Sequence, residues 1–105
     1  MTTTATQTVH LALVDTLADW EVGFLTAHLT QGGADLRLRT VSADGGPVTT
    51  MGGLRVAADL ALADLDPAAS AMLVLPGGET WQAPETAGFV EAARPEVAEQ
   101  TLHVV

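Results

Sequence analysis

The 105-residue chain has no cysteine, which excludes disulfides, thiolate metal sites and thiol nucleophiles within these residues. It has no lysine either. Its four basic residues, Arg37, Arg39, Arg55 and Arg94, stand against 13 acids for a net charge of −9. Nucleic acid and anionic membranes are therefore poor partners. The acids are spread along the chain, which fits a solvated acidic surface better than a dedicated cation site. Aromatic residues make up only 4% while 48% of the chain is hydrophobic. The core must then be built from small aliphatic side chains, helix against sheet. No apolar run nears the ~20 residues that span a bilayer. Met1 to Thr8 lacks the basic start and apolar centre of a signal peptide. The expectation is a cytoplasmic protein of one domain, burying roughly two-thirds of the surface that its unfolded chain exposes.

The stretch around which the rest is arranged is Ala71-Met-Leu-Val-Leu-Pro-Gly-Gly-Glu-Thr-Trp81. Its five leading apolar residues are too few for a helix and suit a strand buried on both faces. Pro76 ends the ladder because it has no N–H. Gly77 and Gly78 allow positive φ and a close backbone approach beyond the strand end, where open parallel sheets bind ligands. A tight strand-to-loop turn is the plainer alternative.

Upstream, residues 1–8 read as a flexible tail, and the domain runs over residues 9–105. Val9 to Val14 is a first strand. Asp15, Thr16 and Asp19 are cap candidates for a helix that runs to about Gln31, where Gly32-Gly33 stops it. Leu36 to Ser42 alternates as a strand at or near a sheet edge. Val48 to Thr50 and Leu54 to Val56 form a small hairpin around Met51-Gly52-Gly53. Asp59 to Asp66 reads as a short helical turn or an irregular segment. Pro84 opens a second helix to about Ala93, and Leu102 to Val105 is a last apolar strand. Strands alternating with helices define a flavodoxin-like α/β fold, a doubly wound and mostly parallel sheet with a small β-hairpin.

Among side chains with chemistry, Glu21 stands out. It lies four residues after Leu17 and four before Leu25, inside an apolar helix stripe adjoined by Trp20, Phe24 and Ala27. A carboxyl buried there beside the strand-end crevice would have a raised pKa from desolvation. The alternative is a partly exposed acid stabilised by the helix N-terminus. His10, His28 and His103 share no metal-ligand spacing and read as structural or surface groups. Ser42 and Ser70 lack a nucleophile-elbow context. The Gly-Gly turn matches neither dinucleotide nor phosphate-loop patterns. No metal or cofactor site emerges from the residues.

Several blocks, taken in order, carry a resemblance. They are the first strand, Asp19-Trp20-Glu21, Thr49-Thr50-Met51-Gly52-Gly53-Leu54-Arg55, and Leu73-Val74-Leu75-Pro76-Gly77-Gly78-Glu79-Thr80-Trp81. Together they resemble the ThiJ/PfpI (DJ-one) family of the class I glutamine amidotransferase-like superfamily. The last block is similar to a bacterial subgroup labelled glutamine amidotransferases. The resemblance implies that Glu21 is the acid beside a reactive cysteine and that the Gly78 N–H helps form an oxyanion hole. It places Gly77, Glu79 and Trp81 along the binding crevice. It also places the nucleophilic cysteine a few residues past Val105, so these residues would be the N-terminal half of the domain, incomplete at its C-terminus and inactive alone. Two readings follow: half of a cysteine-dependent hydrolase or amidotransferase-like enzyme acting on a small molecule, or a non-catalytic remnant or assembly module like the family's stress proteins. In either case the open Leu102 to Val105 strand is expected to be covered, by the missing C-terminal half or by a second copy in a homo-oligomer such as a dimer.

Overall fold

A computed structural model describes residues 7–31, 35–80, 84–89, 91 and 102–103. Strand β1 (Gln7–Leu13) leads through a short turn to helix α1 (Asp19–Gln31) and strand β2 (Leu36–Ser42). Strands β3 (Val48–Thr49) and β4 (Arg55–Val56) pair antiparallel as the hairpin. Strand β5 (Leu60–Ala61) and 3-10 turns at Leu62–Asp64 and Pro67–Ala69 precede strand β6 (Met72–Leu75). A 3-10 turn at Pro84–Thr86 passes into a helical stretch, and strand β7 is Leu102–His103.

The main sheet has the order β5-β2-β1-β6-β7, every pair parallel. This is the flavodoxin-like architecture that the strand–helix alternation implies. β1 lies in the middle, which is why its apolar residues run without a break: Val9, Leu11, Ala12 and Leu13 are all buried. From β1 the chain moves outward through β2 to β5, then returns to the other side of β1 for β6 and β7. The strand order thus reverses between β1 and β6, and the crevice beyond their C-terminal ends is where such sheets bind ligands.

The core is mostly aliphatic, with Val41, Leu73, Val74 and Phe89 almost fully enclosed. Burying a side chain such as Leu73 contributes about 1.5–3 kcal/mol. On α1 the enclosed stripe is Val22 and Leu29, with Leu25 half-buried, while Trp20 and Phe24 face solvent at 69% and 85% exposure. The stripe beside Glu21 is therefore an outer surface.

Apart from shifts of one residue at the end of β1, at both hairpin strands and at the start of β6, boundaries differ from the sequence reading at two places. β1 takes in Gln7 and Thr8, which ladder with Leu36 and Arg37. The segment after Asp59 begins as a strand: Leu60 and Ala61 pair with Val41 and Ser42. Asp59 holds it there, accepting the Thr40 N–H at 2.9 Å on its carboxylate while its own N–H donates to Thr40 O at 2.9 Å. The Arg39–Asp59 ion pair, 3.9 Å and half exposed, adds little. No helix among the described residues is long and apolar enough to cross a membrane.

Candidate active-site crevice

The crevice is built by the turn after β1, the first turn of α1 and the turn after β6. Pro76 follows Leu75 and closes the ladder. Gly77 is then held by α1 and by the residue just before that helix. Its N–H donates to Glu21 Oε1 at 2.8 Å, and its carbonyl accepts the Ala18 N–H at 2.9 Å. Glu21 is half-buried, and its carboxyl sits against the turn after Leu75.

The two glycines are needed for space. Neither has a positive φ, a property confined among the described glycines to Gly45 and Gly53. A Cβ on Gly77 would lie 2.5 Å from Glu21 Oε1, and one on Gly78 would lie 3.3 Å from Thr16 O and from Val14 Cγ2. The freedom of φ expected from the sequence is not what this turn uses. Close packing of backbone against α1 and the β1 turn is. Beyond Gly77, the Gly78 N–H lies outside the ladder and donates to no group among the described residues. Glu79 has an exposed side chain, and its N–H donates to Thr16 Oγ1 at 2.8 Å. Trp81 lies outside the described residues.

Asp15, Thr16 and Asp19, cap candidates by sequence, spend their side chains on neighbouring loops. Asp15 Oδ1 accepts the Thr49 N–H at 3.0 Å, and Asp19 Oδ1 accepts the Gly52 N–H at 2.7 Å. Met51 N–H adds a bond to Leu17 O at 2.9 Å. The hairpin loop is thereby fastened to the start of α1. Hydrogen bonds from the Thr50 hydroxyl foremost, with the Gly52 N–H, hold the Asp19 carboxyl below its ordinary value against the opposing effect of desolvation. Thr16, which sequence reasoning offered only as a cap candidate, has a role at the crevice that the sequence does not signal. It has φ 68°, the one non-glycine residue with positive φ among those described. A β-branched side chain is a poor fit to that region, and composition gives no sign of it.

Two cavities flank these groups. One, about 180 Å³, opens at the ends of β1 and β2 among Leu13, Asp15, Ser42, Val48, Thr80 and Phe89. Neither Glu21 nor Gly78 lines it. The other, about 320 Å³, is an apolar groove between α1 and the hairpin, walled by Leu17, Val22, Leu38, Leu54 and Val56.

The remaining candidates stand apart from the crevice. His10 Nδ1 is 2.8 Å from Ser70 Oγ, and the Ser70 hydroxyl donates to Met72 O at 2.9 Å. That assignment makes Nδ1–H the donor and spends the serine proton, so the pair is not an activated nucleophile. Both residues are buried, and burial pushes the His10 pKa down. His28 stacks on Phe24 at the surface. No group of His, Cys, Asp and Glu among the described residues could hold a metal.

A parallel sheet whose strand-order reversal carries an acid on the first helix and a Gly-Gly turn defines a flavodoxin-like α/β protein with its candidate site at that reversal. The sequence profile of the DJ-1/PfpI family matches residues 7–102, and the chain belongs to that family. It is 35% identical over 82 residues to a Bacillus subtilis protein named "Uncharacterized protease YoaZ", covering 72% of this chain and 39% of that one. The crystal structure of a DJ-1 superfamily protein from Agrobacterium tumefaciens superposes with a TM-score of 0.78 at 31% identity, covering 92% of this chain and 52% of that one. A thiJ/pfpI family protein from Bacillus anthracis gives 0.79 at 31% identity, with 95% and 51% covered. The chain thus spans about half the length of these structural relatives and less of the curated one.

Proposed function

We propose that these residues supply the acid and the oxygen-binding donor of a cysteine-dependent hydrolase or amidotransferase-like site. The observation that carries this is the bond between the Glu21 carboxyl and the Gly77 N–H at the reversal between β1 and β6, one residue before the uncommitted Gly78 N–H. A thiolate attacking the carbonyl of a small-molecule substrate places negative charge on its oxygen, and the Gly78 N–H would stabilise it. Protonated Glu21 would donate a hydrogen bond to the sulfur and favour the thiolate. Gly77 and Glu79 border the substrate, and Trp81 follows two residues on in the sequence. The residues given contain no cysteine, so the thiol comes from outside them and this segment alone is inactive. The reducing cytoplasm suits such a free thiol. The protease name of the Bacillus subtilis relative supports a hydrolytic direction.

The test is a chimera in which residues 7–102 replace the matching part of a family member that carries the cysteine. The pH dependence of its alkylation by iodoacetamide should report a thiol pKa below the usual ~8.5, moving back toward it in Glu21→Ala. A thiol indifferent to Glu21 would overturn the assignment.

The exposed Trp20, Phe24, Met51 and Leu54 favour an assembly role as well. They gather on α1 and the hairpin loop tied to it, a surface that a second copy or the C-terminal half of the domain would cover. Sedimentation of the purified chain at micromolar concentration should show an associated species. A compact monomer with cooperative unfolding counts against this reading.

A further inference from the structure

After Pro76, which has no N–H, three successive backbone donors follow at the crevice: those of Gly77, Gly78 and Glu79. Two of them are already committed. Gly77 donates to Glu21 Oε1 and Glu79 to Thr16 Oγ1, each at 2.8 Å. The Thr16 hydroxyl hydrogen goes to Asp15 O, which leaves the oxygen lone pairs for Glu79. Thr16 also joins the other walls of the crevice. Its N–H donates to Thr49 O at 2.8 Å, and its carbonyl packs against Gly78, where a Cβ would stand 3.3 Å away. The Thr80 hydroxyl closes the ring on Asp15 O at 2.8 Å. A left-handed β-branched residue persists only where its surroundings over-determine it, and such residues gather at functional sites.

We infer that Thr16 is the positioning residue of the crevice. With Glu21 it takes up the two flanking N–H groups and leaves Gly78 as the one open donor of these three. The crevice therefore receives one carbonyl oxygen or oxyanion and does not hold a phosphate, which draws on several converging N–H groups at once. This rests on the proposed reading of Gly78 as an oxygen-binding donor.

Residue-resolved hydrogen–deuterium exchange on the full chain, in whatever assembly it forms, tests the inference. The Glu79 amide should exchange slowly in the wild type and in Thr16→Ser, which keeps the hydroxyl. In Thr16→Val it should exchange about fivefold faster, the loss of roughly one hydrogen bond. Thr16→Gly removes the hydroxyl without demanding an unfavourable φ, so it gives the same answer should the valine variant fold poorly. Millimolar inorganic phosphate should leave Gly78 and Glu79 exchange unchanged in the wild type. Unaltered Glu79 exchange in both Thr16→Val and Thr16→Gly would overturn the inference, as would an equal loss in Thr16→Ser. Protection of both amides by phosphate would overturn its single-oxygen part. The outcome is separable from the chimera experiment, which reads the thiol: should the thiol ignore Glu21 while Glu79 follows the Thr16 hydroxyl, only the acid role falls.

Discussion

The two ends of β6 solve the same problem in opposite ways. At its N-terminal end, Ser70 and His10 join segments 60 residues apart through a buried pair in which the named protons are spent inside the protein. At its C-terminal end, Glu21 and Gly77 join segments 56 residues apart, but in a half-exposed setting beside an open N–H at Gly78. Four residues of strand, about 13 Å at ~3.3 Å each, separate the two arrangements. A Ser–His contact invites a catalytic reading on residue type alone, and here it is structural. A glycine turn invites a structural reading, and here it leaves a donor unspent. Chemistry follows from which groups remain unsatisfied near solvent, and residue identity comes second.

Substitutions can break this contrast. Ser70→Ala should be the most costly, about 1–3 kcal/mol by chemical denaturation, because it leaves the His10 Nδ1–H buried and unpaired. A loss below ~0.5 kcal/mol, as for an ordinary surface change, would show that end to be open after all. Gly77→Ala should cost less, about 1 kcal/mol, since the new methyl displaces the flexible Glu21 carboxyl and breaks one hydrogen bond. Glu21→Gln keeps an acceptor oxygen for Gly77 and should leave stability nearly unchanged.

Acid sharpens the contrast further. The folded pKa of His10 is lowered by burial from its usual 6.5, so the unfolded chain takes up the proton first. Stability is fully present above pH 6.5 and should decline as pH falls below it toward the folded value. His10→Gln should flatten that part of a stability–pH curve. Asp19, half-buried and lowered from 3.8, acts in the same direction but only in stronger acid. The sign is that of a carboxylate: its contribution is present above pH 3.8 and lost as pH falls through the folded value. The smallest effect should be faster Gly52 amide exchange in that range, with the sheet amides unaffected.

Much of the sheet was legible because parallel central strands must be apolar on both faces. Val9 to Leu13 and Met72 to Leu75 could hardly be anything else, and Pro76 marks the exit from β6. The edge strand Leu60–Ala61 was hidden because two residues carry no periodicity, and the Asp59–Thr40 bonds that hold it are tertiary. The outward face of α1 misled for a related reason. Trp20 and Phe24 share the spacing of a core stripe, yet the sheet contacts Val22 and Leu29 instead. In the crevice, Glu21 and the Gly-Gly turn could be picked out by residue type and order. Thr16 could not, since a left-handed φ at a threonine is imposed by Thr49 and Glu79 from distant parts of the chain.

The strand order has a consequence for how the crevice comes into being. β1, α1 and β2 are neighbours in sequence and can meet early, whereas Gly77 and Glu79 reach their partners only after loops of 56 and 63 residues have closed. The entropy of such closure must be spent before the long-range contacts return anything. The crevice is therefore a late product of folding, assembled onto a preformed β1–α1–β2 unit. Substitutions at Gly77 should accelerate unfolding and leave the folding rate nearly untouched. The bond that fixes the turn next to the open Gly78 donor is the one whose loss a stopped-flow experiment would see almost wholly in the unfolding arm.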